Sequence, residues 1–235
     1  MEHHLIMKNR YLFLRHGESK ANTKRKIVSR LETDKKGDYG LTKYGREQVI
    51  RSMEEWGKRG ILSSETIIVS SEFRRAKETA GIASRSLGTS NIIVYRDLCK
   101  RNFGKLKTIK LKGGKKVFYI ANKDLCERDF GAFDNKKEDS FYKAAWEMDK
   151  IAPLRRWKGI ESAFEVFCRI RNLINKFEDE CEGKIILLVS HCDPIQIFLT
   201  VFLGFSLTRH RDLCPPYGPI ENGEIRELPD RHWMP

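Results

Sequence analysis

Three residues suited to handling a phosphate group follow a short apolar run near the start of the chain. Tyr11-Leu-Phe-Leu14 is typical of a buried strand, and Arg15, His16 and Gly17 come directly after it. In an α/β sheet, ligands bind beyond the carboxyl ends of the strands. Arg15 offers a permanent charge and a fork of donors, His16 offers a ring nitrogen that can attack, and Gly17 lets backbone approach closely.

A second histidine occupies an equivalent place late in the chain. Lys184-Ile-Ile-Leu-Leu-Val-Ser190 is an unbroken apolar run, which is typical of a central strand covered on both faces. His191 follows it, and Asp193 and Pro194 suit the cap and first position of a helix whose N–H groups would favour an anion. This pattern predicts that His191 lies at the same sheet edge as His16.

The elements that must position these residues alternate in type along the chain. Thr42 caps a predicted helix over Lys43 to about Lys58. Thr66-Ile-Ile-Val-Ser70 predicts a strand, followed by a helix that ends before Gly88. Asn91-Ile-Ile-Val-Tyr95 predicts a third strand. Such alternation indicates an α/β fold with a mostly parallel sheet.

Four motifs in order resemble those of the histidine phosphatase superfamily, also called phosphoglycerate mutase-like. They are Leu14-Arg-His-Gly-Glu-Ser19, Leu41-Thr42-x-x-Gly45, Ser70-Ser-Glu-Phe-Arg-Arg-Ala-Lys-Glu-Thr-Ala80 and Val189-Ser-His-Cys-Asp-Pro194. The motifs are spread over nearly the whole chain, so we expect residues 1–235 to form one domain. The resemblance implies a three-layer α/β/α sandwich.

The resemblance also implies a two-step hydrolysis through a phosphohistidine. His16 would attack phosphorus while Glu127 protonates the leaving oxygen, and Glu127 would then activate water. Arg15, Arg75 and His191 would surround the phosphoryl group with donors and positive charge. No metal or other cofactor is expected, since the chain also lacks the acidic cluster that magnesium prefers.

Spacing within the family motifs selects two of the phosphate ligands. In the family, the arginine that immediately precedes Ala76 and lies four residues before Thr79 is the ligand, which here is Arg75. Asn22 lies seven residues beyond Arg15, where many members have an asparagine that touches the phosphate. An Asx turn is the alternative role of Asn22.

The region that should carry the general acid departs from the family. Asp97-Leu-Cys-Lys-Arg-Asn-Phe-Gly104 and Asp124-Leu-Cys-Glu-Arg-Asp-Phe-Gly131 are near-copies, with Lys100 and Glu127 at the acid position. A lysine with an ordinary pKa is a poor general acid near neutral pH. Glu127 is therefore the predicted acid, while Lys100 and Gly17 are predicted to line the site. Cys192, where the family usually has glycine, is predicted to line it too.

Two strand-like runs lie between these copies. Lys107–Lys112 and Lys115–Ile120 flank Gly113-Gly114, which predicts a β-hairpin. Residues 98–117 contain eight basic residues and no acidic one. The interpretation is an inserted basic hairpin, about residues 99–124, that overhangs the site. The alternatives are a solvated arm or a contact between copies of the chain.

Composition bounds the partners and the compartment. The 45 basic and 32 acidic residues give a net charge of +13, which fits either a solvated basic surface or an anionic partner. There is no membrane-length apolar run or secretory signal, and the six cysteines form no Cys-x-x-Cys pair. A cytoplasmic protein with reduced thiols is expected, acting on a small phosphorylated substrate or a phosphoprotein. Nucleic acid is a less favoured partner, and a dimer is compatible with the sequence.

Within the superfamily, the phosphatase branch is favoured over two alternatives. A cofactor-dependent phosphoglycerate mutase would carry His-Tyr where this chain has Asp129-Phe130, and would place its arginine pair later than Arg155-Arg156. The second alternative is a weakly catalytic, polyanion-binding member, suggested by Lys100 and the basic hairpin.

Overall fold

The computed structural model describes residues 5–137, 141–210, 219–229 and 232–233. Its strands are β1 (Leu5–Ile6), β2 (Arg10–Arg15), β3 (Ile67–Ser70), β4 (Lys105–Lys110), β5 (Lys116–Ala121), β6 (Ile185–Ser190), β7 (Ile225–Glu227) and β8 (His232–Trp233). Its α-helices are α1 (Lys20–Thr23), α2 (Leu31–Lys36), α3 (Lys43–Lys58), α4 (Arg74–Leu87), α5 (Ile92–Lys100), α6 (Phe141–Ile151), α7 (Ala163–Glu180) and α8 (Cys192–Phe202). In this described part of the chain, no helix combines the length and apolar character needed to cross a membrane.

Six strands form the central sheet in the order β4-β5-β3-β6-β2-β7. The inner four are parallel, and the two edge strands β4 and β7 run antiparallel to their neighbours. The register places Arg15 opposite Ser190, and Ser70 opposite both Val189 and Ala121. The carboxyl ends of all four parallel strands therefore meet at one edge.

Helices cover both faces of this sheet, which confirms the expected three-layer α/β/α sandwich. Successive side chains of β2 alternate between the two cores, as strand geometry requires. Tyr11 and Phe13 pack with α7 and α8, whereas Leu12 and Leu14 pack with α3 and α4. The sheet is thus buried on both sides, and its open edge is left for a ligand.

The strand predicted for Asn91–Tyr95 is wrong, because these residues begin helix α5. The Asn91 side chain caps the helix by accepting the N–H of Val94. Tyr95 is buried on the sheet side, where its hydroxyl donates to Thr66 O and accepts the Ile68 N–H. A short apolar run does not distinguish helix from strand. Here the Asn91 cap favours the helix.

The predicted hairpin exists, but it does not overhang the site. β4 and β5 pair around Gly113-Gly114, and β5 also pairs in parallel with β3. The hairpin therefore forms one side of the central sheet, with β4 as an edge strand. Lys105, Lys107 and Lys110 lie along that edge, and edge lysines are a common device against edge-to-edge aggregation.

Candidate active site

A cavity of about 250 Å³ opens where the parallel strands end. It is lined by Arg15, His16, Ala21, Asn22, Lys26, Val28, Arg75, Glu127, Tyr142, Trp146, Cys192, Asp193 and Pro219. His16 follows β2, Arg75 lies in the first turn of α4 after β3, and Glu127 lies in the loop after β5. His191 follows β6, and its ring centroid lies 5.1 Å from that of His16.

His16 is held in one tautomer and kept neutral. Its Nδ1 lies 2.8 Å from the carbonyl oxygen of Gly17, an acceptor only, so the ring proton resides on Nδ1. The lone pair is then on Nε2, which accepts a hydrogen bond from Arg75 Nε at 3.1 Å. Burial, and then the charges of Arg75 and Arg15, hold the pKa of His16 well below its ordinary value. Nε2 is therefore a neutral nucleophile near pH 7.

Arg75 is the buried cation at the centre of the cavity. It is 4% exposed, and its Nη2 donates to the carbonyl oxygen of Val28 at 3.0 Å. Its guanidinium lies over the ring of Phe73 at 4.7 Å. The neighbouring Arg74 points outward instead and pairs with Glu78 and Asp38 on the surface.

Among the buried donor atoms that lack a hydrogen-bond partner in the described part of the chain, three belong to predicted phosphate ligands: Arg15 Nε, Arg75 Nη1 and His191 Nδ1. An unsatisfied buried donor costs roughly 1–3 kcal/mol, so three in one region indicate a ligand that accepts from all of them. A tetrahedral anion has the required charge and number of acceptor oxygens.

The orientation of His191 makes its Nδ1 one of those donors. The Ser71 hydroxyl lies 2.8 Å from Nε2 of His191 and accepts the Phe73 N–H. When the Ser71 hydroxyl donates to Nε2, the ring proton of His191 is on Nδ1, which makes Nδ1 a donor. Burial, followed by the charge of Arg75, holds the pKa of His191 well below its ordinary value.

Glu127 lines the same cavity as His16, and the pKa of its carboxyl group is raised. Its Oε2 is 3.6 Å from Arg75 Nη2 and 3.7 Å from His191 Nδ1. Burial raises the pKa of Glu127 to about 7, Asp193 adds to the increase, and Arg75 opposes it. A carboxyl group in this range is able both to donate and to accept a proton near neutral pH.

The loop that carries Glu127 is anchored by its neighbour. Arg128 is 2% exposed and makes two hydrogen bonds to Asp149 of α6, at 2.6 and 2.7 Å. Its Nε donates to Glu161 O, and Nε2 of His210 lies 2.9 Å from Asp149 Oδ2. The Arg128 N–H in turn donates to Oε1 of Glu127 at 3.0 Å. The buried ion pair between Arg128 and Asp149 thus helps to hold the Glu127 carboxyl group in position.

The two near-copied loops share buried anchors, and they lie in different places. Leu98 and Phe103 of the first copy are buried, as are Leu125 and Phe130 of the second. Lys100 of the first copy is exposed at the end of α5 and is absent from the cavity lining, so its predicted place at the site is wrong. The similarity therefore reflects core packing.

The remaining predicted residues lie in or beside the cavity. Asn22 and Cys192 line it, and Oδ1 of Asn22 also accepts from the N–H of Ser19 in a capping box. This capping box is a local role other than the Asx turn that we considered, and a contact between Asn22 and a phosphate stays a prediction. Gly17 lies behind the cavity, where a Cβ atom would come within 2.2 Å of the Gly45 carbonyl oxygen. Close backbone approach explains this glycine.

Sequence reasoning missed the outer wall of the cavity. Tyr142 and Trp146 come from α6, Lys26 from an irregular loop, and Asp193 from the first turn of α8. No motif marks the two aromatic residues. Their helical spacing of four was the one available signal that they share a face.

Comparisons with known proteins agree with this geometry. The sequence model of the histidine phosphatase superfamily (branch 1) matches residues 11–116 and 106–226. A protein described as bifunctional from Mycobacterium tuberculosis is 27% identical over 210 residues, which are 87% of this chain and 48% of that protein. Phosphoglycerate mutase-like protein 4 of Arabidopsis thaliana is 26% identical over 178 residues, 76% of this chain and 64% of that protein. The chain thus spans about half the length of the mycobacterial relative.

Solved structures share the fold at low sequence identity. A mycobacterial glucosyl-3-phosphoglycerate phosphatase complexed with VO3 superposes with a TM-score of 0.66 at 21% identity, covering 96% of each chain. A phosphoserine phosphatase from Entamoeba histolytica gives 0.62 at 18% identity, covering 96% of this chain and 98% of the other. With the family match over most of its length, this chain belongs to the histidine phosphatase superfamily, branch 1.

Proposed function

We propose that this protein is a phosphomonoester hydrolase that works through a phosphohistidine on His16, with Glu127 as general acid and base. The observation that carries this proposal is the convergence of a neutral Nε2 with three buried donors that lack partners among the described residues. A phosphoryl group there would satisfy Arg15, Arg75 and His191 and lie against the nucleophile.

In the first step, Nε2 of His16 attacks phosphorus in line with the leaving oxygen. The P–N bond forms as the P–O bond to the leaving group breaks, and Glu127 transfers its proton to that oxygen. Nδ1–H of His16 already donates to the Gly17 carbonyl, so the positive charge that develops on the ring is stabilised in place. Arg75 gives up its bond to Nε2 and turns to the phosphoryl oxygens.

In the second step, the Glu127 carboxylate removes a proton from water. The water oxygen attacks phosphorus, the P–N bond breaks, and inorganic phosphate leaves with His16 neutral again. A pKa of about 7 suits both halves of this cycle, since the group must be protonated in one and ionised in the other. Charge on the phosphoryl oxygens is balanced by Arg15 and Arg75, so the proposed reaction needs no metal ion.

The cavity favours hydrolysis over the mutase alternative. A phosphoglycerate mutase needs further cations for the substrate carboxylate, and Arg155-Arg156 was the candidate pair. Arg156 instead pairs with Glu165 at 2.8 Å and is absent from the lining of the cavity that contains His16. It lines a neighbouring cleft with Glu161 and Arg169, and Glu127 lies between the two. Two of the structural neighbours are phosphatases, which also supports hydrolysis as the proposed reaction.

The proposed partner is a small phosphorylated molecule in a reducing compartment such as the cytoplasm. The enclosed size of the cavity supports a small substrate. None of the five cysteines within the described residues forms a disulfide. The polyanion-binding alternative loses its main support, since the basic hairpin is an edge of the sheet rather than a wall of the site.

Turnover of phosphomonoesters in the presence of EDTA tests the proposal. We expect hydrolysis by the wild type, its abolition in His16→Ala, and a loss of about 10²–10⁴-fold in Glu127→Gln for an alkyl phosphate. The acid-labile, base-stable phosphoenzyme should form in wild type and be absent from His16→Ala.

The chain provides a matched control for the acid. Lys100→Gln changes the equivalent position of the first copy, which is exposed and remote from the cavity. We expect its turnover to equal that of the wild type. Failure of the wild type to hydrolyse any of a broad panel of phosphomonoesters, or full activity of His16→Ala, would refute the proposal.

A further inference from the structure

The wall of the cavity away from the phosphate donors is aromatic. Tyr142 and Trp146, both half-buried, line it together with the small apolar surfaces of Ala21, Val28 and Pro219. Resting on the proposed hydrolase function, we infer that Trp146 selects phosphomonoesters whose leaving group carries an aromatic ring. The phosphate end of the site accepts any monoester, so specificity must come from this wall.

Trp146 is fixed in position before a ligand binds. Its ring stacks on Tyr142 with centroids 5.3 Å apart and planes at 19°. Tyr142 in turn meets the fully buried ring of Phe130 edge-on, at 4.6 Å and 84°. The Trp146 Nε1–H donates to Asp193 Oδ2 at 3.4 Å. An aromatic surface held this way loses little conformational entropy on binding, which is the basis of preorganised recognition.

Phe130 links this wall to the acid. It lies three residues after Glu127 in the same loop, and the loop is anchored to α6 by the ion pair between Arg128 and Asp149. The aromatic wall on α6 and the general acid are therefore parts of one rigid unit.

The charges of this wall disfavour an anionic leaving group. Asp193 lines the cavity and accepts the Trp146 Nε1–H, so a substrate carboxylate against this wall would meet a like charge. Lys26 is the cation on this side, and its Nζ lies over the ring of Tyr39 at 5.9 Å, within range of a cation–π contact. A cavity of about 250 Å³ accommodates a phosphoryl group and a single ring rather than a nucleotide or a protein segment.

Benzyl phosphate and ethyl phosphate form a suitable substrate pair, because both have a primary alcohol as leaving group and only one has a ring. We expect the wild type to show a kcat/KM about 10-fold or more higher for benzyl phosphate, since stacking of a ring on an aromatic side chain stabilises the bound substrate. 3-Phosphoglycerate should be the poorest of the three substrates.

Variants assign the preference to Trp146. The ratio of the two kcat/KM values should fall to about 1–2 in Trp146→Ala, and Trp146→Phe should keep most of it because a ring remains. Trp56→Ala, which removes a tryptophan from α3 away from the cavity, should keep the wild-type ratio. An equal loss for both substrates in Trp146→Ala, with no change in the ratio, would overturn the inference.

A binding measurement separates this inference from the proposed function. Benzylphosphonate and ethylphosphonate cannot be hydrolysed, and their dissociation constants are measurable by calorimetry. We expect benzylphosphonate to bind about 10-fold more tightly to wild type and equally to Trp146→Ala. Tighter binding of benzylphosphonate to the wild type, without turnover of any ester, would refute the proposed hydrolase function and still support the aromatic site. Turnover without a benzyl preference in either measurement would refute the aromatic site alone.

Discussion

Nε of Arg75 lies 3.1 Å from Nε2 of His16, so the arginine donates to the atom that acts as nucleophile in the proposed mechanism. This contact shields the lone pair while the site is empty and places a fixed cation beside the future phosphorus. It also explains why burial and Arg75 together hold the pKa of His16 below its ordinary value. The guanidinium thus adds to the effect of burial in keeping His16 neutral, and in the proposed mechanism it also neutralises the phosphoryl group that His16 attacks.

Arg75→Lys should reduce kcat/KM far more than the same change at the neighbouring Arg74. A lysine keeps the charge and loses the fork that reaches His16, Val28 and the phosphoryl group at once. We expect kcat/KM of Arg75→Lys to fall by about 10²–10³-fold. Arg74→Lys, at an exposed position, should stay within about two-fold. Steady-state kinetics on both variants checks this, and a mild effect at Arg75 would contradict its central role.

The rate of the first step should fall as pH rises through about 7 when the leaving group is an alcohol. The pKa of Glu127 is raised to about 7, so the acid form is lost above that pH. His16 is neutral across the same range, since its pKa is lowered. We expect kcat/KM for benzyl phosphate to drop about ten-fold per pH unit well above 7.

p-Nitrophenyl phosphate provides the control, because its leaving group departs without a proton. Above pH 7 both substrates are dianions, so ionisation of the phosphate cancels in the comparison. The fall with pH should be absent from kcat/KM for p-nitrophenyl phosphate, and absent for both substrates in Glu127→Gln. The same descending limb for both esters would place the titrating group elsewhere than on the general acid.

Glu127 should also lower the stability of the protein at high pH. The pKa of Glu127 in the folded protein lies above its ordinary value of about 4.5, so the folded state binds the proton more tightly than the unfolded state. The stability from this proton is present below pH 4.5 and is lost as pH rises through about 7. Glu127→Gln should therefore be more stable than wild type at pH 8, by up to about 3 kcal/mol.

Urea unfolding at two pH values measures this effect. The difference between Glu127→Gln and wild type should be large at pH 8 and small at pH 4.5. Lys100→Gln should match the wild type at both. A Glu127→Gln variant less stable than the wild type at pH 8 would mean that the carboxylate is stabilised in the fold.

Gly45 should be indispensable, although it lies in a helix outside the cavity. A Cβ atom on Gly45 would lie 2.0 Å from the carbonyl oxygen of Glu18, and the loop carrying His16 and Gly17 would have to move. We expect Gly45→Ala to destabilise the protein by about 1–3 kcal/mol and to reduce turnover. In Gly57→Ala, in the same helix, the added Cβ atom would have no neighbour within 4 Å. We expect this change to increase the free energy of unfolding by about 0.5–1 kcal/mol. Thermal unfolding and kinetics of the pair check both statements.

The sequence predicted the sheet edge because strong local signals coincide there. Apolar runs end at His16 and His191, and each is followed by a turn or a helix start, so topology alone brings them together. Glu127 was found by comparing two near-copies of one loop. The copies share buried leucine and phenylalanine anchors, and the structure shows that only the second follows a parallel strand.

The errors arise where local sequence is ambiguous or contacts are distant. Asn91–Tyr95 has strand-like residues, and its cap and the packing of Tyr95 made it a helix. The lysines before β5 suggested a basic hairpin that overhangs the site. Instead, β5 pairs with β3, which is distant in sequence, and this pairing makes the hairpin part of the sheet. Trp146 faces the cavity because α6 packs beside the acid loop, and nothing local to Trp146 records that arrangement.

Removing one partner of the buried ion pair between Arg128 and Asp149 should strongly lower the free energy of unfolding. Both side chains are at most 4% exposed, and they make two short hydrogen bonds. Asp149→Asn leaves the guanidinium poorly compensated, and we expect a loss of about 3–5 kcal/mol in the free energy of unfolding. The loop carrying Glu127 should loosen, so turnover should fall as well.

The double variant Arg128→Met/Asp149→Leu separates the two consequences. Removing both charges should restore much of the stability, because apolar residues of similar size often replace a buried pair at little cost. Activity should stay low, since Glu127 then lacks its anchor. Urea unfolding with a double-mutant cycle measures the coupling, and Arg59→Met, at an exposed pair on α3, should cost less than about 0.5 kcal/mol. Recovery of both stability and turnover in the double variant would show that the ion pair has no part in positioning the acid.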